Sequence, residues 1–189
     1  MRVVHLSTTD VRGGAARGSF ALHEALLASG VDSHMVVEQP TIGTKQVSGD
    51  RWNGARYMHG VRHRLDQMPV KAYRLRDPAI FTPAAVPSGV VSRVRTLNPD
   101  IVHLHWVGAS FVRPEDVAQF GVPIVWTLRD LWPFTGGCHY SNGCRRYTES
   151  CGSCPALGST RERDLSRWVW SRKSRAWKDT GITPVGIGQ

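Results

Sequence analysis

A strand, a glycine-bearing turn, a helix and a second strand follow one another within the first 37 residues, and this order narrows the fold more than any other feature of the chain. Arg2-Val3-Val4-His5-Leu6-Ser7 is a short apolar run of strand length, and the turn Asp10 to Gly14 follows it. Ala15 to Ser29 then carries Ala21, Leu22, Ala25 and Leu26 at helical spacing. Gly30 is placed to stop that helix, and His34-Met35-Val36-Val37 reads as the next strand. A helical crossover between neighbouring strands leaves them parallel, so the unit commits the chain to a parallel sheet with right-handed connections.

The same alternation returns from Val90. A short helix to Leu97, the turn Asn98-Pro99-Asp100, a strand Ile101-Val102-His103-Leu104-His105, a helix over Pro114 to Phe120 and a strand from Pro123 to Leu128 follow in order. Between about 40 and 88 the periodicity fades, and Arg56, Arg62, Arg64, Lys71, Arg74 and Arg76 form a basic run that fits one or two helices. A loop rich in Cys and Gly spans 132–158. Ser159 and Glu162 have capping-box spacing, which predicts a helix from there to about Asp179. Ile182 to Ile187 reads as a last strand, two residues before the end. The expected class is α/β: a Rossmann-like, open, mainly parallel sheet with helices on both faces, plus the Cys-rich loop. With 189 residues one core is expected, and a domain that ends on an uncovered strand reads as cut rather than finished.

An apolar fraction of 41% and a charged fraction of 21% are those of a soluble globular chain. No run approaches the roughly 18 to 20 apolar residues of a membrane-spanning helix, and the start lacks the apolar core of a signal peptide. A cytoplasmic protein is expected on these grounds. The net charge of +9 calls for an anionic partner, which could be nucleic acid, an anionic membrane surface or substrate phosphates.

Residues at the ends of strands are the candidates for chemistry, because open α/β sheets bind ligands there. Gly13 and Gly14 let backbone amides approach an anion at a helix start, with Arg17 one turn on; the same pair could simply make the turn. His103 and His105 should share one face of their strand, with Trp106 opposite or at the rim, and His105 could transfer a proton or orient a hydroxyl. Arg129 could hold a phosphate and Asp130 a sugar hydroxyl, or the two could pair with each other.

All four cysteines, Cys138, Cys144, Cys151 and Cys154, fall in the one loop. In a reducing compartment such clustering fits tetrahedral structural zinc, with His139 as a competing ligand, while disulfides and free thiols stay open. In the helix that follows, Leu165, Trp168, Val169, Arg172 and Ala176 make a stripe among Arg161, Arg163, Arg167, Lys173, Arg175 and Lys178. That helix either packs its stripe or lies on an anionic membrane.

The blocks Asp100 to Trp106, Pro123 to Tyr140 and Cys151-Gly152-Ser153-Cys154-Pro155 together resemble the amino-terminal domain of retaining GT-B glycosyltransferases of the bacterial capsule, exopolysaccharide and lipopolysaccharide group. The resemblance implies an acceptor-side domain over residues 1–189, facing a donor-binding domain that this sequence does not contain. It implies a nucleotide sugar as cosubstrate, a glycan or lipid-linked acceptor, no catalytic metal, and peripheral contact with the inner face of a membrane. Gly13 and Gly14 then match the loop near the donor diphosphate. Arg129 stands where many relatives have a histidine, and an arginine there is restricted to binding or electrostatics. By itself the chain is expected to turn over little, unless the second half or a partner chain completes the cleft. A different reading, a zinc-stapled basic module for nucleic acid, would account for charge and cysteines but not for the paired strand-end motifs. A third is a non-catalytic partner of another transferase.

Overall fold

A computed structural model of the chain describes residues 1–50, 52–74, 76 and 80–187. Six strands, β1 (Arg2–Leu6), β2 (Asp32–Val36), β3 (Val47–Ser48), β4 (Ile101–Leu104), β5 (Ile124–Leu128) and β6 (Ile182–Gly186), form a single sheet in the order β3-β2-β1-β4-β5-β6. Every pairing is parallel. The chain enters at β1 in the centre, builds outward to β3, then crosses back to β4 and builds outward the other way. That reversal lies between β1 and β4, and in such sheets the crevice beyond the strands' carboxyl ends at the reversal is the natural ligand site.

Pleating divides the sheet into two unlike faces. Val4, Leu6, Val36, Val102, Leu104, Ile124 and Trp126 point one way into the main core. There they meet Val90 and Val94 of helix α3 (Val90–Thr96), Val117 of α4 (Pro114–Ala118) and Trp177 of α5 (Leu165–Trp177). The other face carries His5, Ser33, Met35, His103, His105 and Thr127 and lies under α1 (Gly14–Ala28), whose His23 ring bonds the Ser33 hydroxyl at 2.7 Å. Helices therefore cover both faces, as the alternating pattern predicts. The boundaries read from the sequence match most of these elements to within about two residues.

The unclear stretch from 40 to 88 contains β3 and one long helix, α2 (Ala55–Lys71), which takes Arg56, Arg62, Arg64 and Lys71 of the basic run; residues 51, 75 and 77–79 of this stretch lie outside the described residues. Asp66 of α2 is buried and accepts from the amides of Ala84, Ala85 and Val86 and from the Ser110 hydroxyl, which fastens α2 to the rest of the domain.

The last helix departs from expectation. It begins at Leu165, capped by Asp164, whose carboxylate accepts from the Arg167 amide at 3.1 Å, the Ser166 hydroxyl at 2.7 Å and the Cys154 amide at 2.9 Å. The Ser159 hydroxyl accepts from the Arg161 amide and bonds the Asp164 carboxylate, and 159–164 stays irregular. Asp164 is the residue whose carboxylate reaches an amide of the first helical turn, that of Arg167. The stripe of α5 is packed. Val169 is fully buried, and Arg172 holds Glu115 of α4 bidentately and donates to the carbonyls of Pro83 and Ala84. Only Trp168 of the stripe stays substantially exposed, and the Arg172 guanidinium stacks on it.

Candidate functional site: a cleft at the carboxyl end of the sheet

The ends of β1, β4 and β5, the start of α1 and the Cys-rich loop enclose an open cleft of about 370 Å³. Its walls include Ser7, Gly13, Gly14, Trp106, Arg129 and Asp130, together with His139 and Tyr140. Six residues singled out from three separate motifs thus meet, or nearly meet, in one place: Gly13 and Gly14, Trp106, and Arg129 and Asp130, with Arg17 of α1 standing exposed just outside.

The turn from β1 into α1 is built around Asp10. This fully buried carboxylate accepts from the amides of Val11, Thr41 and Ile42, and although burial pushes its pKa up, those amides hold it below the ordinary carboxylate value. Gly13 follows at φ +91°, a conformation that side chains other than glycine rarely adopt, and caps α1 without contributing a side-chain bond. A Cβ at Gly13 or Gly14 would meet nothing within 4 Å. The space beside the exposed amides of a 15-residue helix is therefore open, and it carries the helix's positive end.

Arg129 extends from the end of β5 across α1. A Cβ on Gly18 would come within 2.9 Å of its Nη1, so the absence of a side chain at Gly18 is what admits the guanidinium. Its Nε is buried without a hydrogen-bond partner, and burial lowers its pKa from the usual arginine value. Arg129 makes no ion pair among the described residues. Its neighbour Asp130 is engaged elsewhere, accepting from the Trp132 amide at 2.9 Å and from His139 Nδ1 at 2.5 Å. The surface pairing of Arg129 with Asp130 that their adjacency allowed does not occur. A guanidinium beside a helix amino end, facing a cleft and lacking a carboxylate, has the chemistry to hold an anion.

His139 is the functional residue that sequence reasoning placed elsewhere, as a competing metal ligand. Its ring is buried, with Nδ1–H donating to Asp130 and Nε2 accepting from the Thr82 hydroxyl at 2.9 Å. The Trp106 indole nitrogen stands 3.3 Å from the same Nδ1. The signal for it was the nine-residue separation of Asp130 and His139, which only a folded loop turns into contact.

His103 and His105 share a face, as their alternation requires, but neither lines the cleft. They join His5 in a cluster whose nitrogens lie within 4.8 Å of one another, beneath α1. His5 Nδ1 and His105 Nε2 are 3.0 Å apart, and His103 bonds Thr127. Burial, then neighbouring imidazoles, lower His5 to about 3 and His105 to about 2; burial and the Arg129 charge lower His103 to about 4. These rings stay neutral at physiological pH. His105, buried and unable to reach the cleft, is a structural residue in this geometry rather than a proton carrier. The nearby guanidinium also opposes a cation at this cluster, since like charges in a poorly solvated site repel strongly.

The four cysteines form no disulfide in the structure and gather round one small cavity of the loop. Burial raises the thiols of Cys138, Cys151 and Cys154, that of Cys151 to about 12, so these three are not nucleophiles at neutral pH.

An open, all-parallel sheet with a polar cleft at its switch point is consistent with one half of the two-domain architecture of GT-B glycosyltransferases. The chain belongs to Glycosyltransferase Family 4, whose family model matches residues 12–178 and so takes in both the cleft and the cysteine loop. Among curated proteins it is similar to WcaC of Escherichia coli (strain K12), named a putative colanic acid biosynthesis glycosyl transferase, at 26% identity over 171 residues. That match covers 84% of this chain and 40% of the relative, so the chain spans less than half the length of that protein. No solved structure matches the chain. Among the described residues no helix is long and apolar enough to cross a membrane.

Proposed function

We propose that this domain is the acceptor-side, amino-terminal half of a retaining glycosyltransferase that moves a sugar from a nucleotide-sugar donor to a glycan or lipid-linked acceptor during extracellular polysaccharide synthesis. The observation that carries the reading is the unpaired Arg129 guanidinium beside the open amino end of α1. Together they provide positive charge where a donor diphosphate would sit, and family membership and the similarity to WcaC supply the reaction class.

Arg129 stays protonated, so it stabilises the developing charge on the leaving phosphate and cannot act as a base. Asp130 is spent on Trp132 and His139, which leaves it to hold the cleft wall in place. The acceptor proton then goes to the donor's own phosphate oxygen. The acidic residues that grip the nucleotide belong to a second domain, supplied by more of the same polypeptide or by another chain. The 189 residues alone therefore bind donor weakly and turn over little.

Peripheral contact with an anionic membrane belongs to the same reading, but its surface is α2 rather than α5. Tyr57, Met58, Leu65 and Met68 stand 50–72% exposed on α2, flanked by exposed Arg56, Arg64 and Lys71, whereas the stripe of α5 is consumed by packing.

Calorimetric titration of the chain with inorganic pyrophosphate and with nucleotide sugars tests the anion site. Weak saturable binding that falls about tenfold or more in Arg129→Ala is expected, the loss of one bidentate charge-assisted contact. Tight donor binding by the 189 residues, or identical affinity in the variant, would refute the assignment.

A further inference from the structure

We propose that Cys138, Cys144, Cys151 and Cys154 form a structural zinc site that staples the loop forming one wall of the cleft. The four thiols come from three separate parts of that loop, and all four line a single cavity of about 20 Å³. That volume is room for one water-sized body, and hence for one ion.

The backbone is bent to serve it. Cys151, Gly152 and Ser153 are three consecutive residues in the left-handed region, at φ +53°, +102° and +42°. Two of them are not glycine, and such a run persists only where its surroundings hold it. The bend is pinned from outside: Gly152 donates to the Ser166 hydroxyl, and Cys154 to the Asp164 carboxylate. It brings Cys151 and Cys154 to the same cavity, while the Gly136 amide donates to Cys151 Sγ at 3.2 Å. Backbone amides donating to sulfur stabilise a thiolate that ligates a metal.

A second observation is independent of the cysteines' own geometry. Lys173 is 3% exposed and makes no ion pair among the described residues. Its ammonium donates to the carbonyls of Trp132 and Thr135 and lies 3.6 Å from the centre of the Trp132 ring. Of the groups placed to favour its charge, Cys138 and Cys151 would do so as thiolates, and the Asp130 carboxylate pairs with His139 instead. A buried cation with no carboxylate in ion-pair contact is costly. Zinc held by four thiolates has a net charge of −2 and would supply the missing counter-charge.

The thiols line the cavity rather than converge: among the described residues, the set of three or more ligand atoms already within 4.8 Å of one another is the histidine cluster. Loading therefore requires the cysteine side chains to turn inward to the roughly 2.3 Å zinc–sulfur distance. The consequence reaches the cleft through the chain itself. Cys138 precedes His139, whose amide and carbonyl pair with Ile80 and Leu131, so fixing Cys138 fixes the ring that bonds Asp130.

The test is elemental analysis of the chain purified under reducing conditions, joined to a thiol count and an intact mass. About one zinc per chain is expected, released in step with four thiols by a mercurial titrant. Cobalt substituted for it should give thiolate charge-transfer bands and the strong d–d absorption of a tetrahedral site. Cys151→Ser and Cys154→Ser should lower zinc occupancy at least tenfold at fixed free zinc, while His103→Gln leaves it unchanged. If the serine variants fail to fold, the wild-type thiol release and cobalt spectrum still decide. Metal-free protein with four reactive thiols, a mass lower by the hydrogens of two disulfides, or zinc lost from His103→Gln but kept by the cysteine variants would each overturn the proposal.

Discussion

Three imidazoles held neutral inside the fold tie its stability to pH. Folded, His5, His103 and His105 have pKa values lowered to about 3, about 4 and about 2, against 6.5 for an exposed histidine. Below pH 6.5 the unfolded chain takes up protons that the native state refuses, so acid favours unfolding. The stability these groups provide is complete above 6.5, and it falls as the pH drops toward the folded values. Between pH 7 and 5.5 each ring forfeits about 1.2 kcal/mol, and the three together roughly 3.6 kcal/mol. Asp10, whose carboxylate is held below its ordinary value, contributes nothing in that window, because it stays ionised in both states. A loss of this size is a large part of a small domain's total stability. Urea unfolding followed by tryptophan fluorescence at pH 7, 6 and 5.5 measures it directly. His5→Gln should remove about a third of the slope. Equal stability at pH 7 and 5.5, or native resonances of these three rings titrating near 6.5, would refute the assignment of a buried neutral cluster.

The glycine pair separates folding from binding. Gly13→Ala forces a side chain into φ +91° and should cost about 1 to 3 kcal/mol in denaturant unfolding, whereas Gly14→Ala, entering open space at the first helical residue, should leave stability nearly unchanged while weakening pyrophosphate binding; equal stability losses at both positions would contradict this. The exposed apolar and basic side of α2 should carry the chain into vesicles containing anionic lipid and not into neutral ones. Met68→Glu with Leu65→Glu should abolish co-flotation, and unchanged flotation would remove α2 from the membrane reading.

Much of this protein was legible from the order of its residues. The alternation of strand and helix patterns sets a parallel α/β sheet because backbone hydrogen bonding and crossover handedness leave few alternatives. The strand-end positions of Gly13, Gly14, Trp106, Arg129 and Asp130 follow from the same pattern. Local spacing failed where residues distant in sequence compete for the same groups. Asp164, five residues after Ser159, is the residue that caps α5, by accepting from the Arg167 amide, and the stripe of α5 went into packing because Arg172 found Glu115 and two carbonyls. The separation of His105 from His139 was likewise beyond sequence. Both are histidines beside candidate motifs, yet one lies under α1 and the other against Asp130 in the cleft wall. Periodicity determines which face of an element a side chain takes, since that depends on backbone geometry alone. Whether that face meets a helix, a ligand cleft or a ring of thiols depends on contacts between residues far apart in the chain, and these exist only once the chain has packed.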